Sequence, residues 1–502
     1  MALESEADGE PGAKRRREDD EQEDQHKEVA AGPVVRISAL PDDVRRRILT
    51  HLPLKDAIRS SALAQRWRHL WKSRWAEPTS SLDVHVLPGD NPKKTINSLE
   101  SAPRRRLDRF TFVSDNELLG PKLLSRFMEY AAACCVEDLD VEVSRRSCRD
   151  KRRLIFNFVP ASPLLTRLSL RNVILGGAGL SCNDDVWLEP LPFDCLEVVR
   201  LHRVTISIAL CRLMALCPRV HTLDMRRCDR AFVPQSATLR TVTVAECGRD
   251  RELKVHDAAL PNLRSFRFSG RFFVGRMDPF PFCLPKDAAL VDLYICIAGE
   301  IQIPFFYSDL SRALPVDLSG LTVLTICSNV LEIASSLLKE KCATWPNVRN
   351  LQSLKELQLI LSGTDTKTLY NIYLFLRASH CHNLERLFVQ LPDISNRCLE
   401  DLVQGVRFEP LEDGLGKLRM VKVMNFNWHK FEVQLVSSLL RKASTLHKLL
   451  LVSPNVTLQH MPGVEEADLS LLKEALANGR MILRESDDPA TQPFHSEVFI
   501  KV

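Results

Sequence analysis

The sequence predicts an α/β protein: a curved, irregular solenoid of stacked strand-and-helix units behind a small module of three helices. Three observations predict it. A phrase of apolar, two residues, apolar, one residue, apolar recurs along most of the 502-residue chain. Stripes of helical spacing lie between its copies. A basic stretch, 36–75, rich in tryptophan, precedes them.

Apolar residues make up 45% of the chain, which excludes wholesale disorder. Lys plus Arg number 68 against 64 Asp plus Glu, a formal charge of +4 that is too balanced for binding nucleic acid through bulk charge. No apolar run reaches the roughly 18 residues of a membrane helix. The acidic start MALESEADGE has no apolar core, so no secretory signal is expected. The 15 cysteines are scattered without a CxxC pair, whereas disulfide scaffolds and structural zinc sites need tighter spacing. A reducing compartment is expected, nucleus and/or cytoplasm, and the sequon Asn455-Val456-Thr457 then carries no meaning.

Residues 1–35 hold eleven acids and five bases and almost no large apolar residue, so this charged tail is expected to be disordered. Lys14, Arg15, Arg16 and Arg17 inside it form a candidate nuclear-import signal or, equally, a solvated charge run.

The module follows. Pro41 suits a first helical position, Asp42 and Asp43 favour a helix N-terminus, and Val44, Ile48 and Leu52 fall on one face before Pro53 stops the helix. A second helix can run from Asp56 to about Leu63, and a third carries Trp67, Leu70, Trp71 and Trp75. Three helices in so few residues rarely stand alone without disulfides or metal, and this stretch has no cysteine. Part of its apolar surface therefore belongs against another protein. Its ten bases against three acids make an acidic partner surface a good match. DNA binding is disfavoured because the bases do not cluster on one helix beside base-reading Asn or Gln.

Residues 36–76 resemble an F-box of the plant style. The resemblance rests on Leu40-Pro41-Asp42, Ile48-Leu49, Leu52-Pro53, Ser60-Ser61-Ala62-Leu63, Arg66-Trp67-Arg68 and Leu70-Trp71. It implies docking onto a Skp-type adaptor and, through it, a cullin. It makes Leu40, Pro41, Ile48, Leu49, Leu52, Pro53, Leu63, Trp67 and Leu70 adaptor-facing or module-core candidates.

The recurring phrase then begins at Leu107, Val136, Leu165, Leu196, Val220, Leu239, Leu263, Leu290, Leu321, Leu354, Leu384, Leu418 and Leu446, at intervals of 19 to 34 residues. It is similar to the leucine-rich-repeat phrase, in long irregular units over 105–415. Cys228 and Cys247 occupy the Asn/Cys slot after the strand, a packing role. Helical stripes follow at Leu210, Leu213, Met214 and Cys217, at Leu369, Ile372 and Leu376, and at Leu435, Val436, Leu439, Leu440 and Ala443. No unit can bury its apolar face alone, so the units stack into a horseshoe with a strand-lined concave face.

Strand alternation predicts what that face presents. It begins Ser169 and Arg171, Arg200 and His202, Asp224 and Arg226, passes Arg267, Tyr294, Thr325 and Gln358, and ends Phe388 and Lys422. One reading is a two-part client surface. An acidic or phosphorylated part sits on Arg171, Arg200, Arg226 and Arg267, and an apolar part near Tyr294 and Phe388. The other is a solvated face at one end and, at the other, a face covered by the C-terminal segment.

The stretch 416–455 resembles the FBD segment of plant F-box/leucine-rich-repeat proteins through Val421, Val423, Phe426, Glu432, Leu435-Val436, Leu439-Leu440, Ala443 and Leu446 to Leu451. It reads as strand, helix, strand. In 456–502 a helix is expected around Ala467–Ala477, stopped by Gly479, and an edge strand at Val498-Phe499-Ile500.

No phosphate loop, HExxH or GxSxG is present. Gly176-Gly177-Ala178-Gly179 lacks a dinucleotide site's context, and His380-Cys381-His382 lacks further ligands, so no cofactor, metal or catalytic residue is expected. The resemblances imply a non-catalytic substrate receptor of an SCF-type ubiquitin ligase. A binding scaffold or ligand-sensing solenoid that delivers no client is the alternative.

Overall fold

The computed structural model describes residues 40–50, 58–60, 67–73, 81–144, 154–157, 162–176, 193–206, 208–247, 260–271, 282–298, 310, 312–339, 350–363, 365–392, 415–454 and 464–497. The expected tail with Lys14 to Arg17, the adaptor candidates Leu52, Pro53 and Leu63, and the apolar run 498–500 lie outside them.

Helix α1 (Asp42–Thr50) comes first, then β1 (Ser81–Val86), α2 (Pro92–Ser101), β2 (Arg109–Ser114), α3 (Pro121–Ala133) and β3 (Asp138–Val143). Next are β4 (Ile155–Asn157), β5 (Arg167–Arg171), β6 (Ile174–Gly176), β7 (Val198–His202), α4 (Ala209–Leu216), β8 (Thr222–Arg226), β9 (Thr241–Ala245) and β10 (Ser265–Arg271). The second half holds β11 (Asp292–Ala298), β12 (Val323–Cys327), α5 (Ser328–Lys339), β13 (Glu356–Ile360), α6 (Thr366–Ala378), β14 (Arg386–Gln390) and β15 (Met420–Met424). It closes with α7 (Lys430–Lys442), β16 (Lys448–Val452), α8 (Glu466–Ala477) and β17 (Met481–Arg484).

Fifteen of these strands form one sheet in chain order, with β4 and β6 set apart as a pair of their own. Neighbours in the sheet run parallel, as β5 does with β7 and β13 with β14. This is the leucine-rich-repeat arrangement, and the reason lies in the phrase. Its first apolar position is buried in all thirteen copies, none more than 6% exposed, because the turn before each strand folds that side chain inward. The next two apolar positions point the same way from the strand, as Leu168 and Leu170 do. A residue of positive φ then turns the chain at Asn172, Arg203, Arg227, Glu246 and Asn425, each immediately after its strand. Asn tolerates that left-handed region best, and the others are held there by the next repeat. Arg203, for example, donates its amide to the Arg226 carbonyl at 2.8 Å.

Cys228 and Cys247 are buried and stack on one another. The Cys228 amide donates to Cys247 Sγ at 3.4 Å, and each thiol faces backbone carbonyls. Their hydrogen bond, then burial, raise the Cys247 thiol well above its usual range, so it stays protonated and inert.

The helices cover one side of the sheet and join repeat to repeat. Ser335 of α5 donates to the Asn371 carbonyl of α6 at 2.9 Å, and Arg441 of α7 pairs with Asp468 of α8. Asp365 caps α6 by accepting from the Thr368 amide. The expected strand, helix, strand of 416–455 is β15, α7 and β16, continuous with the same sheet. Glu432 closes its turn by accepting from the Asn427 and His429 amides at 2.7 and 3.3 Å.

One expectation is corrected. The sheet starts at β1, a full unit before residue 105. Val84 and Val86 are buried there although no phrase-leading leucine announces the strand. At the other end β17 pairs with β16 and is preceded by α8, which ends before Gly479 at φ 76, while the edge strand expected at Val498-Phe499-Ile500 lies outside the described residues.

Leu357 lies in the middle of β13 with no exposed surface. Leu357→Ala is expected to lower stability by about 3 kcal/mol in a denaturant titration. Val316→Ala, at an exposed position, should stay within about 0.5 kcal/mol of the parent.

Candidate functional site

The strand register sorts the concave side chains into rows. Ser169, Arg200, Asp224, Thr243, Arg267 and Tyr294 follow one another strand by strand, as do Thr325, Gln358, Phe388 and Lys422. A parallel row runs Arg171, His202, Arg226, Ala245. The alternation expected from the sequence therefore holds for these positions.

What covers the rows differs along the sheet. From β3 to β8 exposure alternates residue by residue, with one face open. In β11 and β13 nearly every residue is buried. The cover is the C-terminal segment, Asp487–Glu497, which crosses the concave face from β15 back to β8. Its first anchor is Lys422, fully buried, which pairs with Asp487 and donates to the Thr491 carbonyl at 2.8 Å. Partial burial alone would raise the Asp487 carboxyl. Lys422, with Gln492 and the Asp488 amide, holds it below the ordinary carboxylate range instead.

Further along, the Phe494 amide donates to Glu356 at 2.5 Å. His495 is buried between Thr325 Oγ1, 2.8 Å from its Nδ1, and Asp292, whose carboxylate accepts from Nε2 at 3.0 Å. The ring of Tyr294 meets the His495 imidazole edge-on at 5.6 Å. Phe494 lies over the Arg267 guanidinium at 5.7 Å. The described segment ends with Glu497 paired to Arg226 at 2.8 Å.

This corrects the apolar half of the expected client surface. Tyr294 and Phe388 face the concave side but have no exposed area, because the C-terminal segment occupies their half of the face. The four arginines are also less free than their positions suggest. Arg171 pairs with Glu142 at 3.1 Å and lies 3.9 Å from Asp140. Arg226 is shared between Asp224 and Glu497, and Arg267 lies 3.8 Å from Asp292. Among the described residues, Arg200 has no ion-pair partner. Asp140 and Glu142 were missed by the sequence reading, although the same alternation applied to the phrase at Val136 places both on this face.

Between the end of the segment and strands β5 to β10 an open cavity of about 680 Å3 remains, lined by Arg171, Arg200, His202, Arg226, Arg267 and Glu497. Burial, then Arg203, Arg171, Arg227 and Arg226, push the His202 imidazole below its usual 6.5. Arginines predominate in the cavity's lining, with Asp224 and Glu497 among them. Among the described residues no cluster of His, Cys, Asp or Glu is placed to hold an ion.

The N-terminal module has its own small core, separate from that of the repeats: Leu49, Trp67 and Leu70, with Trp71 against them. Arg45 is buried too. It donates to the Leu40 carbonyl at 2.7 Å and pairs with Asp42 at 2.7 Å, holding the start of α1. The structure thus divides the adaptor candidates. Leu49, Trp67 and Leu70 are interior and hold the module together, the module-core alternative of the two open to them. Pro41 and Ile48 are exposed, and Leu40 is half-buried. Val44 and Ile58, absent from the expected set, join Ile48 as exposed aliphatics.

Asp487→Ala leaves Lys422 without its carboxylate. It is expected to cost about 2 kcal/mol, less than for a fully buried pair because Asp487 is 39% exposed. Hydrogen exchange should rise across 489–497 and not in β1 to β5. The pair's contribution is complete above pH 3.8, the ordinary Asp value, and is lost as pH falls below it toward the depressed folded value. His202, followed by NMR, should titrate below 6.5 and move back up in Arg203→Ala.

Compared with known proteins, residues 106–479 match the family described as At1g61320/AtMIF1, LRR domain, and residues 37–76 match the F-box domain. The chain is similar to putative F-box/LRR-repeat protein At5g54820 of Arabidopsis thaliana, 22% identical across 90% of this chain and 96% of that one. It is also similar to F-box/FBD/LRR-repeat protein At1g78750 of the same plant, 26% identical across 83% and 89%. A solved leucine-rich-repeat protein of Legionella pneumophila, LegL7, aligns at 14% identity over 82% of this chain and all of that one, with a TM-score of 0.29. The matched domains are protein-interaction domains, not enzyme families. The chain belongs to the At1g61320/AtMIF1 LRR-domain family and carries an F-box domain ahead of its repeats.

Proposed function

We propose that this protein is the substrate-receptor subunit of an SCF-type ubiquitin ligase, acting in the nucleus and/or cytoplasm. The F-box binds a Skp-type adaptor and through it a cullin, and the solenoid holds a client protein on the open half of its concave face. The observation that carries this reading is the division within the module. Leu49, Trp67 and Leu70 make an interior, while Val44, Ile48 and Ile58 stay exposed. Val44 and Ile48 are four residues apart on α1 and so share one face. Uncovered aliphatics on so small a unit match a surface that a partner completes.

The contribution is positional. Holding a client beside a ubiquitin-charged enzyme raises its effective concentration there, and no residue of this chain need form or break a bond. The Arabidopsis thaliana relatives carry both F-box and LRR-repeat in their names.

Ile48→Asp is expected to abolish co-purification of adaptor and cullin while leaving thermal unfolding of the repeats unchanged. Leu49→Ala should also weaken capture, but through the module's stability, by about 3 kcal/mol. Undiminished adaptor capture by Ile48→Asp would falsify this reading.

A further inference from the structure

Resting on the reading of the concave face as the client surface, we propose that the cleft beyond the C-terminal segment takes an extended acidic peptide. Its anionic group pairs with Arg200 and competes with Glu497 for Arg226.

The face already holds a peptide, its own. Asp487–Glu497 is bound through a main-chain carbonyl at Thr491, a main-chain amide at Phe494 and the side chains of Asp487, His495 and Glu497. That is recognition of a peptide strand by side chains rising from a sheet. The path continues past Glu497. Strands β8, β7 and β5 present their concave side chains to the open cavity, in line with the rows the segment covers further on.

Charge selects the occupant. Arg200 faces the cavity without an ion-pair partner among the described residues. Arg226 on the next strand lines the same cavity with its partners Asp224 and Glu497, and burial together with the arginines around it lowers the His202 imidazole. Beyond Arg171 the sign reverses at Asp140 and Glu142. Arg171 on β5 and Arg226 on β8 are two strands apart in the sheet, roughly 10 Å at about 4.8 Å per strand. An extended peptide covers that distance in about three residues, at roughly 3.4 Å each. A short acidic stretch fits, whereas a long polyanion runs onto the carboxylates of β3.

The segment's end is built to yield. Asp487 and His495 grip buried partners, but Glu497 is 56% exposed and its ion pair with Arg226 lies at the rim. An exposed pair of this kind contributes little, so a second carboxylate or phosphate can take its place.

The test uses the full chain and fluorescence anisotropy. The probe is a labelled peptide with four consecutive glutamates between Gly-Ser flanks. A phosphoserine version tells phosphate from carboxylate, and a lysine version is the control. The acidic peptides should bind, the lysine peptide should not, and added salt should weaken binding. Arg200→Glu should weaken it by about tenfold or more, as loss of one charge-assisted hydrogen bond does. Glu497→Gln, at an exposed position, should tighten it severalfold. The proposal fails if Arg200→Glu binds as the parent does, if Glu497→Gln weakens binding, or if inorganic phosphate or oligothymidylate competes as well as the peptide. Ile48→Asp should leave peptide binding untouched. Peptide binding without adaptor capture by the parent chain would therefore overturn the ligase reading and spare the cleft.

Discussion

Each repeat of this solenoid supplies cover for only one face of its own strand. Helices such as α5 to α8 and the turns between them shield the outer side, and the parallel ladder leaves the other side bare. How that second face is covered governs everything else. In the second half of the sheet the chain covers it with its own C-terminal segment. This is why Lys422 can be fully buried in a strand of otherwise apolar neighbours. Its charge is tolerated because Asp487 and the Thr491 carbonyl surround it. The same cover turns Tyr294, Thr325, Gln358 and Phe388 from surface into interior. The first half is left open.

The open half is not simply basic. Most of its arginines are matched by carboxylates from neighbouring strands, Glu142 for Arg171 and Asp224 for Arg226. Intramolecular pairing spreads the charge along the face and leaves a positive focus at Arg200. A face so balanced holds little attraction for bulk polyanions. The overall formal charge of +4 follows the same pattern.

The F-box module obeys a different constraint, that of size. Among the described residues its core is Leu49, Trp67 and Leu70, with Trp71 packed against them. The buried Arg45 shows how tightly the first turn of α1 is tied, since its guanidinium serves the Leu40 carbonyl and Asp42 at once. The aliphatics left over, Val44, Ile48 and Ile58, remain on the surface.

Sequence alone determined the repeat architecture. The leading apolar residue of the phrase and the two that follow are a local pattern, and local patterns decide which side of a strand is interior. It also determined which residues face the concave side, from Ser169 to Lys422, since alternation is set by the strand. A further signal was legible in hindsight. Strands open on one face alternate, as RLSLR at 167–171 does, while doubly covered ones run continuously apolar, as YICI at 294–297 and LLL at 449–451 do. Tertiary structure alone decided which concave residues stay accessible, which arginines are quenched and which F-box residues are core. The contacts that settle the concave face join Lys422 to Thr491, Glu356 to Phe494 and Asp292 to His495, residues 69, 138 and 203 positions apart. No local spacing encodes a contact at that separation; it exists only once the repeats have stacked and the end of the chain has folded back across them.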